Sequence, residues 1–280
     1  MSARTVIHAT QARDRKDQMQ QTDMTGKVAL VTGASRGIGA AIAREFHAAG
    51  ARVAITARDA DALRTLAAEL GGPERAFAVA ADIRDPDAVS DLIGQVVAVL
   101  GRLDCAVNNA AGGGHGPMPL AEVPLEAFDS GLAVMLRGVF LSMRAEIPAI
   151  VSSGGGAIVN ISSTAGLQAV GGLATYVAAK HGVEGLTKVA ALDYAEQGVR
   201  VNALAPGPIL TDNLRRAGKD AQQAAANAMP LKRIGDPQEV AAAAVWLCSN
   251  QAGFITGTTL TIDGGKLAGT PPFQVMGARR

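Results

Sequence analysis

The chain has no charge bias: 26 Lys and Arg against 25 Asp and Glu leave a formal net charge of +1 over 280 residues. Nucleic acid and anionic membrane surfaces are bound through concentrated basic patches, so neither is an expected partner and a small molecule is. Long apolar runs are also missing. Each hydrophobic stretch is broken by glycine or charge short of the roughly 20 residues a spanning helix needs, which points to a soluble, cytoplasmic protein with no membrane partner. Cysteine is scarce. Cys105 and Cys248 lie far apart, each inside an apolar run (LDCAV and VWLCS), and their spacing suits neither a metal site nor a redox motif. The expectation is two buried reduced thiols and no metal. Residues 1–24 (MSARTVIHATQARDRKDQMQQTDM) are rich in Gln, Asp, Arg and Thr and almost empty of large apolar residues, so they are expected to be a disordered extension. They have neither the apolar stretch of a secretory signal nor the acid-free composition of a transit peptide. The ordered pattern starts at once after Met24, which is itself a candidate start.

With 48% hydrophobic and 18% charged residues, the chain can bury a large core. From Lys27 onward, short β-branched runs alternate with longer segments of helical period. This is the pattern of an α/β fold in three layers, a doubly wound parallel sheet with helices on both faces. Seven strands are expected: Val28–Val31, Arg52–Thr56, Ala76–Ala80, Leu103–Val107, Ala157–Ile161, Val199–Leu204 and Thr259–Ile262. All are nearly continuous in apolar residues, as doubly buried strands are. Helix signals include Ile38, Ile42 and Phe46 at four-residue spacing, closed by Gly50 as a left-handed cap. Asp85-Pro86 and Asp236-Pro237 are starts, the second with Glu239 completing a capping box. No repeat or linker interrupts residues 25–265, which are read as a single domain followed by a loosely held tail, 266–280.

Between the first strand and the first helix lies TGASRGIG, Thr32 to Gly39. There glycines allow the backbone to approach a pyrophosphate seated on the helix N-terminus. Three such glycines are common in ordinary strand–helix turns, and it is their position that gives them meaning. An acid at the end of the second strand would select NAD by accepting the ribose hydroxyls, but here the residue is Ala57. Arg58 follows it and Arg36 lies in the loop, so two guanidinium groups flank the place of a 2′-phosphate and NADP(H) is the expected cofactor. Asp59 is the competing ribose ligand.

Tyr176 and Lys180 share a helix face at i and i+4. An ammonium near a phenol favours the phenolate and brings a pKa near 10 closer to working pH, which makes a general acid/base. Ser163 ends a strand 13 residues earlier, where a hydroxyl emerges at the carboxyl edge of the sheet. His115 and His181 are weaker candidates, read as surface or satisfied core.

The glycine loop, NNAA at Asn108 to Ala111, Ser163, Tyr176-x-x-x-Lys180, Pro206-Gly207 and the terminal Ile262-Asp-Gly-Gly265 follow one another as in short-chain dehydrogenases/reductases. From about Met24 to Gly265 the chain resembles that family, in particular its 3-oxoacyl-carrier-protein reductase-like and glucose dehydrogenase-like members. The resemblance implies a Rossmann-type fold and hydride transfer between NADP(H) and a carbonyl or secondary alcohol. It makes Tyr176 the proton donor or acceptor, Ser163 the partner of the substrate oxygen, and Lys180 the ligand of the nicotinamide ribose that lowers the tyrosine pKa. It also implies cofactor contacts from Gly33, Ser35, Arg36, Gly37, Ile38 and Gly39, from Arg58, and from Asp82 with Ile83 at the adenine. Asn108 would lie beside the adenosine-side ribose and the loop, with Asn109 also at the cofactor. Pro206, Gly207, Ile209 and Thr211 would complete the set, the last two near the carboxamide. Segment 208–229 would be a lid over the substrate. A homotetramer is implied, in keeping with apolar terminal segments such as Phe254 to Gly257.

Two positions depart from the family pattern. Ala111 stands where the motif has glycine, and Met135 stands where a fourth catalytic residue, an asparagine, holds a water leading from the lysine to solvent. A thioether has no donor with which to replace that amide, so Met135→Asn would raise turnover if the position still faces the proton route. If it does not, Met135 is core filling. Two other functions share these features: a fold-sharing isomerase or lyase, and a nucleotide-binding regulator with little turnover.

Overall fold

The computed structural model describes residues 22–269, so the expected extension, save its last three residues, and most of the tail lie outside it. In chain order the elements are β1 Val28–Thr32, α1 Gly37–Ala48, β2 Arg52–Ala57, α2 Ala60–Glu69, β3 Ala76–Ala80, α3 Pro86–Leu100 and β4 Cys105–Asn108. Then come α4 Leu125–Leu132, α5 Gly138–Ser152, β5 Gly156–Ile161, α6 Ala174–Tyr194, β6 Val199–Pro206, α7 Asp212–Arg216, α8 Lys219–Asn227, α9 Pro237–Cys248 and β7 Thr259–Ile262. The seven strands form one sheet in the order β3-β2-β1-β4-β5-β6-β7, and every pairing is parallel. Each expected strand is present, with ends shifted by two residues or fewer.

Strand geometry sends alternate side chains to opposite faces, and the core divides accordingly. Ala29, Val31, Val53 and Ile55 pack with Ile42 and Phe46 of α1, Leu63 of α2 and Val245 of α9. Val28, Leu30, Ala54 and Ile158 pack on the other face with Val96 of α3, Ile147 of α5 and Val183 of α6. Each such large side chain removed from water contributes about 1.5–3 kcal/mol. Met24, assigned to the extension from sequence, belongs to the first cluster. It is buried, and its N–H donates to Ala49 O at 2.8 Å.

The caps are local chemistry. Asp85 accepts from Asp87 N and Ala88 N ahead of Pro86, and the Glu239 carboxylate accepts from Asp236 N at 2.8 Å ahead of Pro237. Gly50, past the end of α1, has φ +95°. The chain leaves β1 for β2 and β3 on one side and returns to β4 on the other, so the carboxyl ends of β1 and β4 bound the crevice where ligands bind in such sheets.

Candidate active site

Around that crevice is a cleft of about 410 Å³. Gly33, Ser35, Arg36, Gly37 and Ile38 of the glycine loop line it, as do Arg58, Asp82, Ile83, Asn109 and Thr211. Of the remaining expected cofactor residues, Gly39, Pro206, Gly207 and Ile209 are not among those lining it. The sequence reading missed several lining residues, among them Val134, Asp212 and Asn213. Asp212 and Asn213 open α7, and no local motif marks them. Glycine is required in the loop. A Cβ on Gly33, at φ +64°, would lie 2.7 Å from Ala110 Cα, and one on Gly39 would strike Gly33 O. β1 therefore turns into α1 in direct contact with the end of β4.

Asn109 holds that contact. Its Nδ2 donates to Thr32 O at 3.0 Å and Gly33 O at 3.1 Å, and its N–H donates to Thr32 Oγ1 at 3.0 Å. Asn108, expected beside the ribose, is instead 2% exposed and turned away from the loop, its Nδ2 donating to Glu146 and Asn160. Strand alternation is the reason: neighbouring residues at a strand end face opposite sides, and the cleft takes the second asparagine.

The cleft suits an anionic dinucleotide. Among the described residues no side chain caps α1, its first turn holds no acid, and the N–H groups there carry the positive end of the helix dipole. Arg36 and Arg58 are exposed, and neither is in an ion pair among the described residues. Asp59 is committed elsewhere, its Oδ1 accepting from Ala62 N as the N-cap of α2. The Asp82 carboxylate is held below its ordinary range chiefly by hydrogen bonds from Arg84.

Two strands along from β1, Ser163, Tyr176 and Lys180 converge at the end of β5. Ser163 begins the turn Thr164–Gly166, and its Oγ accepts from Ala165 N at 3.1 Å. Lys180 is 3% exposed. Its Nζ donates to Ile161 O at 2.7 Å and lies 5.8 Å from the Tyr176 ring centroid. Burial lowers the ammonium to about 8, opposed by the charge of Glu184 one turn further along α6. The expectation that Lys180 depresses the phenol is not met in this geometry. Burial pushes Tyr176 up, and a hydrogen bond with Ser163 opposes the rise. Desolvation dominates because ammonium and phenol are withdrawn from water together. His115 Nε2 accepts from Thr175 N at 3.4 Å, covering the uncapped start of α6, while His181 Nδ1 is 2.9 Å from Val177 O of its own helix.

The family model described as enoyl-(acyl carrier protein) reductase matches residues 33–266. The chain belongs to the short-chain dehydrogenase/reductase family. It is 44% identical over 249 residues to an A-factor type γ-butyrolactone 1′-reductase (1S-forming) of Streptomyces virginiae, covering 86% of this chain and 96% of the relative. Identity is 42% to a 2,5-dichloro-2,5-cyclohexadiene-1,4-diol dehydrogenase of Sphingobium indicum, over 87% and 98% of the two chains. A solved structure from Sinorhizobium meliloti, named as a candidate short-chain alcohol dehydrogenase, superposes with a TM-score of 0.82 at 37% identity, covering 89% of this chain and 99% of the other. As a short-chain dehydrogenase/reductase the protein is an oxidoreductase, and a nicotinamide dinucleotide is the cofactor its family implies.

Within this family member, Met135 occupies a local irregularity. Residues Ala133–Arg137 form a π turn between α4 and α5, a feature frequent at functional sites. Met135 is 3% exposed, with its methyl beside Gly114. Burying an amide there without a partner costs about 1–3 kcal/mol. Met135→Asn is therefore expected to lower the melting temperature without raising turnover. A clear rise in turnover would put the missing amide back in the proton route.

Proposed function

We propose that this enzyme transfers a hydride between NADP(H) and a small ketone or secondary alcohol, with Tyr176 as the proton donor or acceptor. The observation that carries the reading is the convergence of half-buried Ser163 and Tyr176 with buried Lys180 at the carboxyl edge of the sheet, beside a cleft lined by two exposed arginines that are in no ion pair among the described residues. The bound nicotinamide supplies or accepts the hydride. Lys180 spends one of its three donors on Ile161 O, leaving two for ribose hydroxyls. The Ser163 oxygen accepts from Ala165 N, and its proton, which faces the Tyr176 oxygen, turns to the substrate oxygen when substrate binds. Tyr176 then gives a proton to that oxygen in reduction and takes it back in oxidation.

Relatives named for six-membered-ring alcohols include a cyclohexanol dehydrogenase of Acinetobacter, 37% identical over 89% of this chain and 98% of that one. Cyclic ketones are therefore the first substrates to offer. Steady consumption of NADPH with some carbonyl from a broad panel is expected, and none across such a panel would contradict the reading.

A homotetramer is proposed as well. Phe254, Leu192 and Leu120 are more than three-quarters exposed. Phe254 precedes β7 and Leu260 lies within it, while Val189 and Leu192 lie on α6, and exposed apolar side chains of this kind suit contacts between chains. Light scattering should give four chains, and a single-chain mass at micromolar concentration would contradict it.

A further inference from the structure

Glu146 takes no part in the chemistry above, yet it is a fully buried carboxyl, 0% exposed in α5. Asn108, at the end of β4, donates from Nδ2 to Glu146 Oε2 at 3.0 Å and to Asn160 Oδ1 at 3.1 Å. Asn160 in turn donates to Thr187 Oγ1 of α6 at 2.9 Å, and the Thr187 hydroxyl donates to Val183 O at 2.8 Å. Both amide protons of Asn108 are thus spent, which fixes the orientation of its side chain. Two buried acceptors are left without a donor among the described residues, Asn108 Oδ1 and Glu146 Oε1. They belong to the same joined pair. An ionised Glu146 would bury both, with a charge, in a region of low dielectric.

One proton satisfies both atoms. We propose that Glu146 is held as a neutral carboxylic acid that donates from Oε1 to Asn108 Oδ1, closing a reciprocal acid–amide pair that fixes the end of β4 beneath the dinucleotide cleft. From that end Asn109 braces Thr32 and Gly33, and through Asn160 and Thr187 the same network reaches the helix of Tyr176 and Lys180. Glu146 is a positioning residue. Burial raises its carboxyl to about 7 against the opposing hydrogen bond from Asn108, and among the described residues neither a cation nor a second carboxylate acts on it. Because the folded value lies above the ordinary 4.5, the stability it contributes is complete below that value and is lost as pH rises through about 7.

Glu146→Gln is the informative variant, since a glutamine can form the same two bonds at every pH. The inference takes the cleft as the dinucleotide site, so one measurement is made without cofactor. In the infrared difference between wild type and Glu146→Gln, a neutral carboxyl band is expected at mildly acidic pH, replaced by a carboxylate band above about 7. In thermal melts the variant should gain on the wild type across the same interval, by on the order of 5 °C. NADPH affinity, by fluorescence, should match wild type within about twofold at mildly acidic pH. It should then hold in the variant while wild type weakens roughly three- to tenfold at mildly alkaline pH. A carboxylate band already present at mildly acidic pH, or identical pH profiles in both proteins, would overturn the proposal. If only the affinity difference is absent while the band and the melts behave as expected, the neutral pair stands, and its role in positioning the cleft is overturned.

Discussion

Tyr176→Phe is expected to leave the fold and dinucleotide binding intact and to remove nearly all turnover. The substitution takes away one oxygen from a helix whose packing it barely alters. A positioned proton-transfer group contributes about 10²–10⁴-fold to rate, so a loss in that range is the expected result. Full activity in this variant would refute the proton-transfer role. The direction of the phenol's shift adds a pH signature. Burial keeps Tyr176 above its ordinary value of 10.0, so at neutral pH it is a protonated phenol, the form that carbonyl reduction requires. Alcohol oxidation needs the phenolate. Oxidation should therefore gain with rising pH, while reduction stays level and then falls. Opposite trends in the two directions would show that another group carries the proton.

The second large effect concerns the cofactor. Arg36 and Arg58 line the cleft, and Asp59 is tied to the start of α2. A charge-assisted contact to the 2′-phosphate is worth about 1.5–3 kcal/mol, so Arg58→Ala should weaken NADPH roughly ten- to hundredfold and leave NADH little changed. Ala57→Asp combined with Arg58→Ala restores an acceptor for ribose hydroxyls and should move the preference toward NADH. The wild-type preference should also shrink with added salt, because the arginines are exposed. Equal or tighter binding of NADH by the wild type would refute the assignment.

The sheet was legible because doubly buried strands are short continuous apolar runs such as VALV and AIVNI, each bounded by glycine or polar residues. The caps at Asp85 and Asp236 were legible because capping is local chemistry. What escaped was tertiary. The choice between Asn108 and Asn109 depends on which face of β4 meets the cleft, and adjacent positions carry the same letter. The π turn at Ala133–Arg137 has no sequence period of its own. The pull on Tyr176 was expected from Lys180, but burial decides it, and i,i+4 spacing does not report burial. Glu146, in the run MRAEIPAI, carries no local sign of its burial, and only the packing of α5 makes it an interior acid.

The most direct test of the central claim follows the hydride itself. NADPH carrying deuterium at the transferable C4 position is incubated with the enzyme and a cyclic ketone, and the product is examined by mass spectrometry. Deuterium is expected on the carbinol carbon of the product alcohol, and Tyr176→Phe should yield almost none of that product. Converted substrate without deuterium, or bound cofactor with no conversion of any ketone offered, would contradict the account.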